Sequence, residues 1–376
     1  MLNVTDGSVA EYKVMVGNAT AYTGNGNGDF SVNISDIFKP LFTESSDWEV
    51  AGDLIHQPVQ TDHRILATVV VTNDKGVRWS NNITVWNGGV SKRVWRKCAR
   101  EGWNIFTRRF MAMDGNFFMT ARSSEYRINM RESELGLLWC IYPCDDNSLH
   151  IRERISGQSL VLPGVTNMFY AIDMAAVRAY FYDVLGVLGS VFEVWTDVGV
   201  DSGLPQGNLA AIVQIERAAP AKERYLVSFR NSFGCMECIE MVGEAKRSEE
   251  TVEDDEETGS SFLRYDPVTD SYYDARIRQQ TVPVFTITTG VKRPAEREFL
   301  KDMLTSDKVF LSVGGEDFEV IPSVENTEYP VVSKEPTTYT VKFKAVEGDD
   351  RNGMTTANLR FTRPRLFSYQ FNNKFN

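Results

Sequence analysis

Apolar and polar residues alternate with a period of two over many short stretches of this chain, the pattern of strands with one buried face. Over residues 11–16, Tyr12, Val14 and Val16 alternate with Glu11 and Lys13. The stretch ILATVVVT-NDKG-VRW reads as two strands joined by a tight turn, with Gly76 supplying the positive φ such turns need. The same grammar returns in VFLSV-GGED-FEV and, less cleanly, in AYFYDVLGVLGSVFEVW. It is clearest in TTYTVKFKAV, where Tyr339, Val341, Phe343 and Ala345 share one face and threonines and lysines the other.

Helical patterning is sparse. NISDIFKPLF offers Ser35 as a cap and an apolar Ile37, Phe38, Leu41 face, which Pro40 limits to a turn or two. In PAEREFLKDML, Pro294 suits the first turn, Glu296 and Glu298 suit its positive end, and Phe299, Leu300, Met303 and Leu304 form an apolar stripe. The fold class expected is therefore all-β, or β-dominated: several β-sandwich-like modules with one or two short helices, one of them packed on the last β domain.

Seven of the nine residues from Glu249 to Glu257 are acidic, a density that argues for a linker or surface loop. The expected organisation is an N-terminal β domain over 1–93, a central β-sandwich region over 94–248, an acidic linker or loop over 249–271, and a C-terminal β domain with one short helix over 272–376. Softer boundaries are expected at 91–102 and at DSGLPQG, 201–207. No repeat of fixed period is present, which argues against propellers and solenoids.

The 376 residues carry a net charge of −11, which should repel nucleic acid and acidic membranes. MLNVTDGSVAEYKV lacks the basic start and apolar core of a signal peptide, and no apolar run reaches membrane-span length, so manufacture in the cytoplasm with reduced cysteines is expected.

Candidate chemistry centres on Cys140, Cys144, Cys235 and Cys238. Two close cysteine pairs can build Cys₄ zinc coordination. Cys238, however, runs directly into Ile-Glu-Met-Val, and residues three apart on an extended strand face opposite ways. YLVSF-RNSFG-CMECIEMV is accordingly read as a hairpin rather than a zinc knuckle, and no βαβ pattern surrounds it to suit a thioredoxin-type couple. His56, His63 and His150 match no common ligand spacing, and neither a nucleophile elbow nor a His-Glu-x-x-His helix occurs. GNGNGD, 24–29, lacks the Gly-Lys-Ser/Thr ending of a phosphate loop, and Asp266, Asp270 and Asp274 lack EF-hand alternation. No catalytic residue, metal ligand or cofactor is assigned. One segment, SKRVWRKCAREGWNIFTRRF, interleaves Lys92, Arg93, Arg96, Lys97, Arg100, Arg108 and Arg109 with Trp95 and Trp103. Such a pattern can bind single-stranded nucleic acid. A protein interface is the preferred reading, because acidic surface on a neighbouring copy could pair with it.

The phrases VWNGGVSK, FRNSFGCMECIEMVG and TTGVKRPAEREFLKDMLTSDKVFLSVGGEDFEVIPSV, with the ending RPRLFSYQFNNKFN, give the chain a resemblance to structural proteins of tailed phages and prophages of Bacteroidetes bacteria. The resemblance covers about a third of the chain and carries no catalytic residues. It implies a non-enzymatic tail, baseplate or neck component of a virion, assembled in the host cytoplasm into a ring. Its partners would be copies of itself and other virion structural proteins, joined through open strand edges. The competing reading is a carbohydrate- or receptor-binding β-sandwich that stacks a host-surface glycan on Trp48, Trp79, Trp86 or Trp103. A glycoside hydrolase using paired carboxylates is the enzymatic alternative.

Overall fold

The computed structural model describes residues 2–4, 10–42, 55–58, 64–76, 78–90, 92–103, 118–124, 126–141, 149–162, 169–196, 208–217, 221, 223–253, 261–276, 279–324, 336–347 and 349–350. Strands dominate them and fall into several sheets with a few short helices, as the alternating patterns require.

The first sheet is four-stranded and antiparallel, in the order Ala19–Gly26, Ala10–Val16, Arg64–Asn73, Arg78–Trp86. Ala10, Tyr12 and Val14 face the same core as Ala67, Val69 and Val71. The expected turn between its last two strands is present, with Gly76 at φ +75°. Phe38, from helix α1 (Ser35–Phe38), closes this core, and Pro40 confines the next three residues to a single 3₁₀ turn. Ser35 is the first helical residue rather than the cap; the Asn33 carboxamide oxygen accepts from its N–H and hydroxyl instead. GNGNGD contributes the end of strand Ala19–Gly26 and the turn beyond it. A side chain at Gly24 would collide with the Tyr12 ring.

The second large sheet is six-stranded, in the order Ser159–Leu162, Leu149–Glu153, Val191–Thr196, Asn208–Glu216, Arg127–Arg131, Ser123–Ser124. Its Asn208–Glu216 and Arg127–Arg131 strands run parallel. The core of this unit holds Ile128, Ile151, Phe192, Val194 and Val213. Across it packs a helix that the alternation of AYFYDVLGVLGSVFEVW does not suggest: only Val191–Thr196 of that stretch is a strand, and its start belongs to Met174–Asp183. Helix formation wins there because Asp173 Oδ1 accepts from the N–H groups of Ala175 and Ala176, while Met174, Val177 and Phe181 fall on one buried face. A three-stranded sheet, Leu137–Ile141, Phe169–Asp173, His56–Pro58, brings in a strand from the N-terminal part of the chain.

The largest sheet runs Met236–Val242, Arg224–Arg230, Val309–Val313, Glu316–Ser323, Thr337–Ala345, Gln279–Lys292, Lys246–Glu253, with Asp349–Asp350 pairing beside the long strand. Tyr339, Val341, Phe343 and Ala345 are all buried, as their spacing requires. The helix read from PAEREFLKDML spans Arg297–Leu304 after a 3₁₀ turn at Pro294–Glu296, and its Phe299, Leu300 and Met303 enter the same core.

This sheet crosses the boundaries expected from sequence. Its first two strands come from the region assigned to the centre, and the stretch 249–271, expected as a linker or loop, supplies the end of Lys246–Glu253 and all of strand Ser261–Asp266. The acidic residues are tolerated because Lys246–Glu253 lies at the sheet's margin. There Glu249 pairs with Arg247 at 2.8 Å and Glu250 with Lys344 at 3.0 Å. Residues 254–260, the rest of the acidic run, lie outside the described residues.

Candidate functional site

A cluster of charged side chains largely removed from water lies where the six-stranded unit meets the largest sheet. Arg122 precedes strand Ser123–Ser124, Arg131 ends strand Arg127–Arg131, and Glu134 closes the 3₁₀ turn Glu132–Glu134. Facing them are Glu237 and Glu240 on Met236–Val242, Lys292 at the end of the long strand, and Glu296.

Arg122 is the hub. Its Nη1 donates to Glu134 Oε2 at 2.6 Å, its Nε lies 3.5 Å from Glu237 Oε1, its Nη2 donates to the Cys238 carbonyl, and its guanidinium stacks 4.0 Å from the centre of the Phe299 ring. Desolvation works against the charge, but the two carboxylates outweigh it and push the Arg122 pKa up. Glu134 is equally committed: it accepts from Arg122, from the Arg131 N–H at 3.1 Å and from the Glu240 N–H at 2.7 Å. Burial pushes Glu134 upward, but Arg122 and Lys292 dominate and hold it at about 2. Lys292 Nζ donates to the Glu240 carbonyl at 3.0 Å, and burial draws it down to about 8.

Glu237 behaves differently. It accepts from Thr120 Oγ1 and Asn231 Nδ2, each at 2.6 Å, yet burial holds it up at about 7. Glu240 is fully buried and neither carboxylate oxygen accepts a hydrogen bond; Arg131 Nη1 stands 3.8 Å from Oε1. Burial pushes it up as well. Arg293 adds a bridge to Glu216 at 2.6 Å, and Trp139 Nε1 one to the Met236 carbonyl at 3.2 Å.

Glu134 and Glu237 are pushed apart in pKa, which is the pattern of an acid–base pair. Here both direct their oxygens at protein donors, and the cleft lined by Arg122, Asn129, Glu134, Lys292, Glu296 and Phe299 has room for about one water molecule. The arrangement suits fastening one sheet to another. None of these residues is marked by a local motif; each is an ordinary charge in strand or turn sequence. The one available signal is Glu237 and Glu240 lying among apolar residues in CMECIEMV.

The hairpin read around the cysteines is present: Arg224–Arg230 pairs with Met236–Val242 through a turn at Asn231–Gly234. Cys235 is fully buried beside Met119, Trp139 and Ile141, whereas Cys238 is half-buried with its Sγ 3.4 Å from Ser228 Oγ. Burial pushes both thiols up, as it does Cys140. Cys144 lies outside the described residues, as do His63, Trp48, Arg108 and Arg109. Among the described residues, no three His, Cys, Asp or Glu side chains are grouped to hold a metal.

His56 falls on a strand of the three-stranded sheet, and His150 is buried in the six-stranded one. Asp266 and Asp270 sit in the turn of a two-stranded ribbon, Ser261–Asp266 with Ser271–Arg276. Asp266 accepts there from the Val268 N–H and Thr269 Oγ1, and Asp270 from the Tyr265 hydroxyl at 2.6 Å. Trp79 and Trp103 are exposed, while Trp86 packs near Trp139 and Cys235. Part of the basic segment, Lys92–Glu101, forms a helix, α2. Among the described residues no helix is long and apolar enough to cross a membrane.

No family model, no curated protein and no solved structure matches this chain.

Proposed function

We propose that the chain is a non-enzymatic structural component of a tailed-phage virion, working in the tail, baseplate or neck through contacts with copies of itself and with other structural proteins. The phage context is supported by the phrases VWNGGVSK and FRNSFGCMECIEMVG and their companions in the sequence. The assembly role is carried by one structural observation, the free margin of the four-stranded sheet. Arg78–Trp86 is nine residues long, pairs on one side only among the described residues, and is uncharged from Trp79 to Trp86. Proteins that remain single normally guard such an edge with lysine, proline or a bulge. An unguarded one is a template for main-chain pairing with a neighbour.

The test is the assembly state of the purified chain by native mass spectrometry and negative-stain microscopy. Closed multimers are expected, and Ser80→Lys/Thr84→Lys, which places charge on two exposed positions of that strand, should dissociate them. A chain that stays monomeric at every concentration would overturn the proposal.

The second reading, glycan binding, is favoured by the ribbon Ser261–Asp266/Ser271–Arg276, which exposes Tyr265 and Tyr272 side by side on one face, their ring centres 5.3 Å apart, as a surface on which sugar rings can stack. Saturable binding on a glycan array, lost in Tyr272→Ala, would establish it.

A further inference from the structure

The four-stranded sheet has two margins, and their sequences match in kind. Residues 16–28 and 79–91 carry no charged side chain, although 24% of the chain is charged. The first run supplies strand Ala19–Gly26 and the second nearly all of strand Arg78–Trp86, the outer strands on opposite sides of one sheet. Among the described residues each pairs with a single neighbour, Ala19–Gly26 with Ala10–Val16 and Arg78–Trp86 with Arg64–Asn73. They are eight and nine residues long, and neither contains proline. Ala19–Gly26 does carry a bulge, since Ala21 is the extra residue between Thr20 and Tyr22 opposite the Val14–Met15 step. Residues 22–26 beyond it keep regular register, about the length of an average strand.

Register also fixes which side chains line the core side of each margin. Tyr22 lies opposite Val14, while Trp79, Ile83 and Val85 lie opposite Val71, Ala67 and Ile65. Tyr22 and Trp79 are each 44% exposed, and Ile83 and Val85 are half-buried. The other face of the two strands is polar, with Thr23 and Asn25 on one and Ser80, Asn82 and Thr84 on the other. An apolar layer therefore runs out to both margins, and a further strand laid on either would extend it.

Strand direction decides what fits. All three pairings in the sheet are antiparallel, so Ala19–Gly26 runs opposite to Arg78–Trp86. When a second copy is set alongside with its sheet running the same way, its Ala19–Gly26 lies antiparallel to the Arg78–Trp86 of the first. The ladder then continues in its own pattern; an odd number of strands would have forced a parallel junction.

We infer that the Arg78–Trp86 edge of one copy receives strand Ala19–Gly26 of the next, joining the four-stranded sheets of neighbouring copies into one continuous antiparallel sheet. The contact is head-to-tail, because the two edges are different surfaces. This inference rests on the assembly reading above and deepens it by naming what the free edge takes.

The experiment mixes two half-blocked variants of the full chain. Ser80→Lys/Thr84→Lys charges one edge, and Thr23→Glu/Asn25→Lys charges the other, each new charge standing opposite its contrary, Lys13 or Glu11, so that the fold is kept. Native mass spectrometry should give multimers for wild type and monomers for each variant alone. An equimolar mixture, one variant isotope-labelled, should give a 1:1 pair and nothing larger, since one usable edge of each kind remains. If Thr23→Glu/Asn25→Lys assembles like wild type while Ser80→Lys/Thr84→Lys dissociates, the inference fails and the assembly reading survives. A mixture that stays monomeric, with both variants matching wild type in circular dichroism, has the same meaning. A wild type monomeric throughout sinks both. Hydrogen exchange of wild type over a dilution series decides the matter without any variant. Slowing in both strands on assembly supports the inference and any other pattern overturns it; slowing in Arg78–Trp86 alone would show two copies meeting by like edges.

Discussion

Glu134 Oε1 accepts a hydrogen bond from the backbone N–H of Glu240 at 2.7 Å, across 106 residues of chain. Its other oxygen holds Arg122 at 2.6 Å, so one carboxylate joins the six-stranded unit to the main chain of the largest sheet and to the hub of the charge cluster. Removing one partner of a buried ion pair strands the other charge in a poor solvent. Arg122→Ala should therefore destabilise the protein by about 3–5 kcal/mol, read as a lowered urea midpoint. Replacing Arg122, Glu134 and Glu237 together by Met, Leu and Leu should cost less than the sum of the three single replacements, because none of these three charges is then stranded by the loss of another.

The seam should also set the pH dependence of stability. Burial holds Glu237 at about 7, against 4.5 for an ordinary glutamate. Between those values the folded chain keeps a proton that the unfolded chain loses. The stabilisation is full below about pH 4.5 and is lost as pH rises through 7, at a rate of at most about 1.4 kcal/mol per pH unit. Glu237→Gln should flatten the profile over this window in urea titrations at half-unit steps.

Two neighbours act in other windows. Glu134, held at about 2, stabilises above 4.5 and loses that contribution as pH falls toward 2. Lys292, drawn down to about 8 from 10.5, makes stability rise as pH climbs between those values, since the unfolded chain binds the extra proton there. Lys292→Met should abolish the alkaline rise and also shrink the acid limb, since Lys292 is one of the two charges that hold Glu134 down.

Gly234 and Gly314 separate backbone strain from close contact. Both have positive φ, +84° and +65°, but a side chain at Gly314 points into open space while one at Gly234 meets the Asn87 carbonyl. Gly314→Ala should cost about 1 kcal/mol and Gly234→Ala clearly more, with Trp86 fluorescence altered only in the second.

Thiol accessibility gives a further check. Cys140 and Cys235 are fully buried, and burial raises both thiols, whereas Cys98 lies half-buried on helix α2. Maleimide labelling followed by peptide mapping should modify Cys98 in the native protein and leave Cys140 and Cys235 untouched until denaturant is added.

Strands with one wet and one dry face announced themselves. Tyr339, Val341, Phe343 and Ala345 alternate with polar residues because the Thr337–Ala345 strand is half-buried, and the turn glycines 76, 314 and 315 mark positions only positive φ satisfies. Met174–Asp183 was harder: its aromatic and β-branched residues imitate a strand, and only Asp173 before an alanine pair hints at a capped helix. The acidic stretch misled because like charges suggest repulsion, whereas an edge strand can spread them beside Arg247 and Lys344. The seam left one local trace in the sequence, Glu237 and Glu240 set among apolar residues. Arg122 finds Glu237 and the Cys238 carbonyl only after the chain has folded back over more than a hundred residues, and no local spacing records such a meeting.

That long separation has a consequence for biosynthesis. Residues 118–217 leave the ribosome before the strand Met236–Val242 exists, so Arg122 and Glu134 have only each other, and their remaining hydrogen-bonding groups stay hydrated until Cys238 and Glu240 are translated. A nascent chain cut short before that strand is left with open hydrogen-bonding groups on Arg122 and Glu134 at what the finished molecule turns into a dry seam.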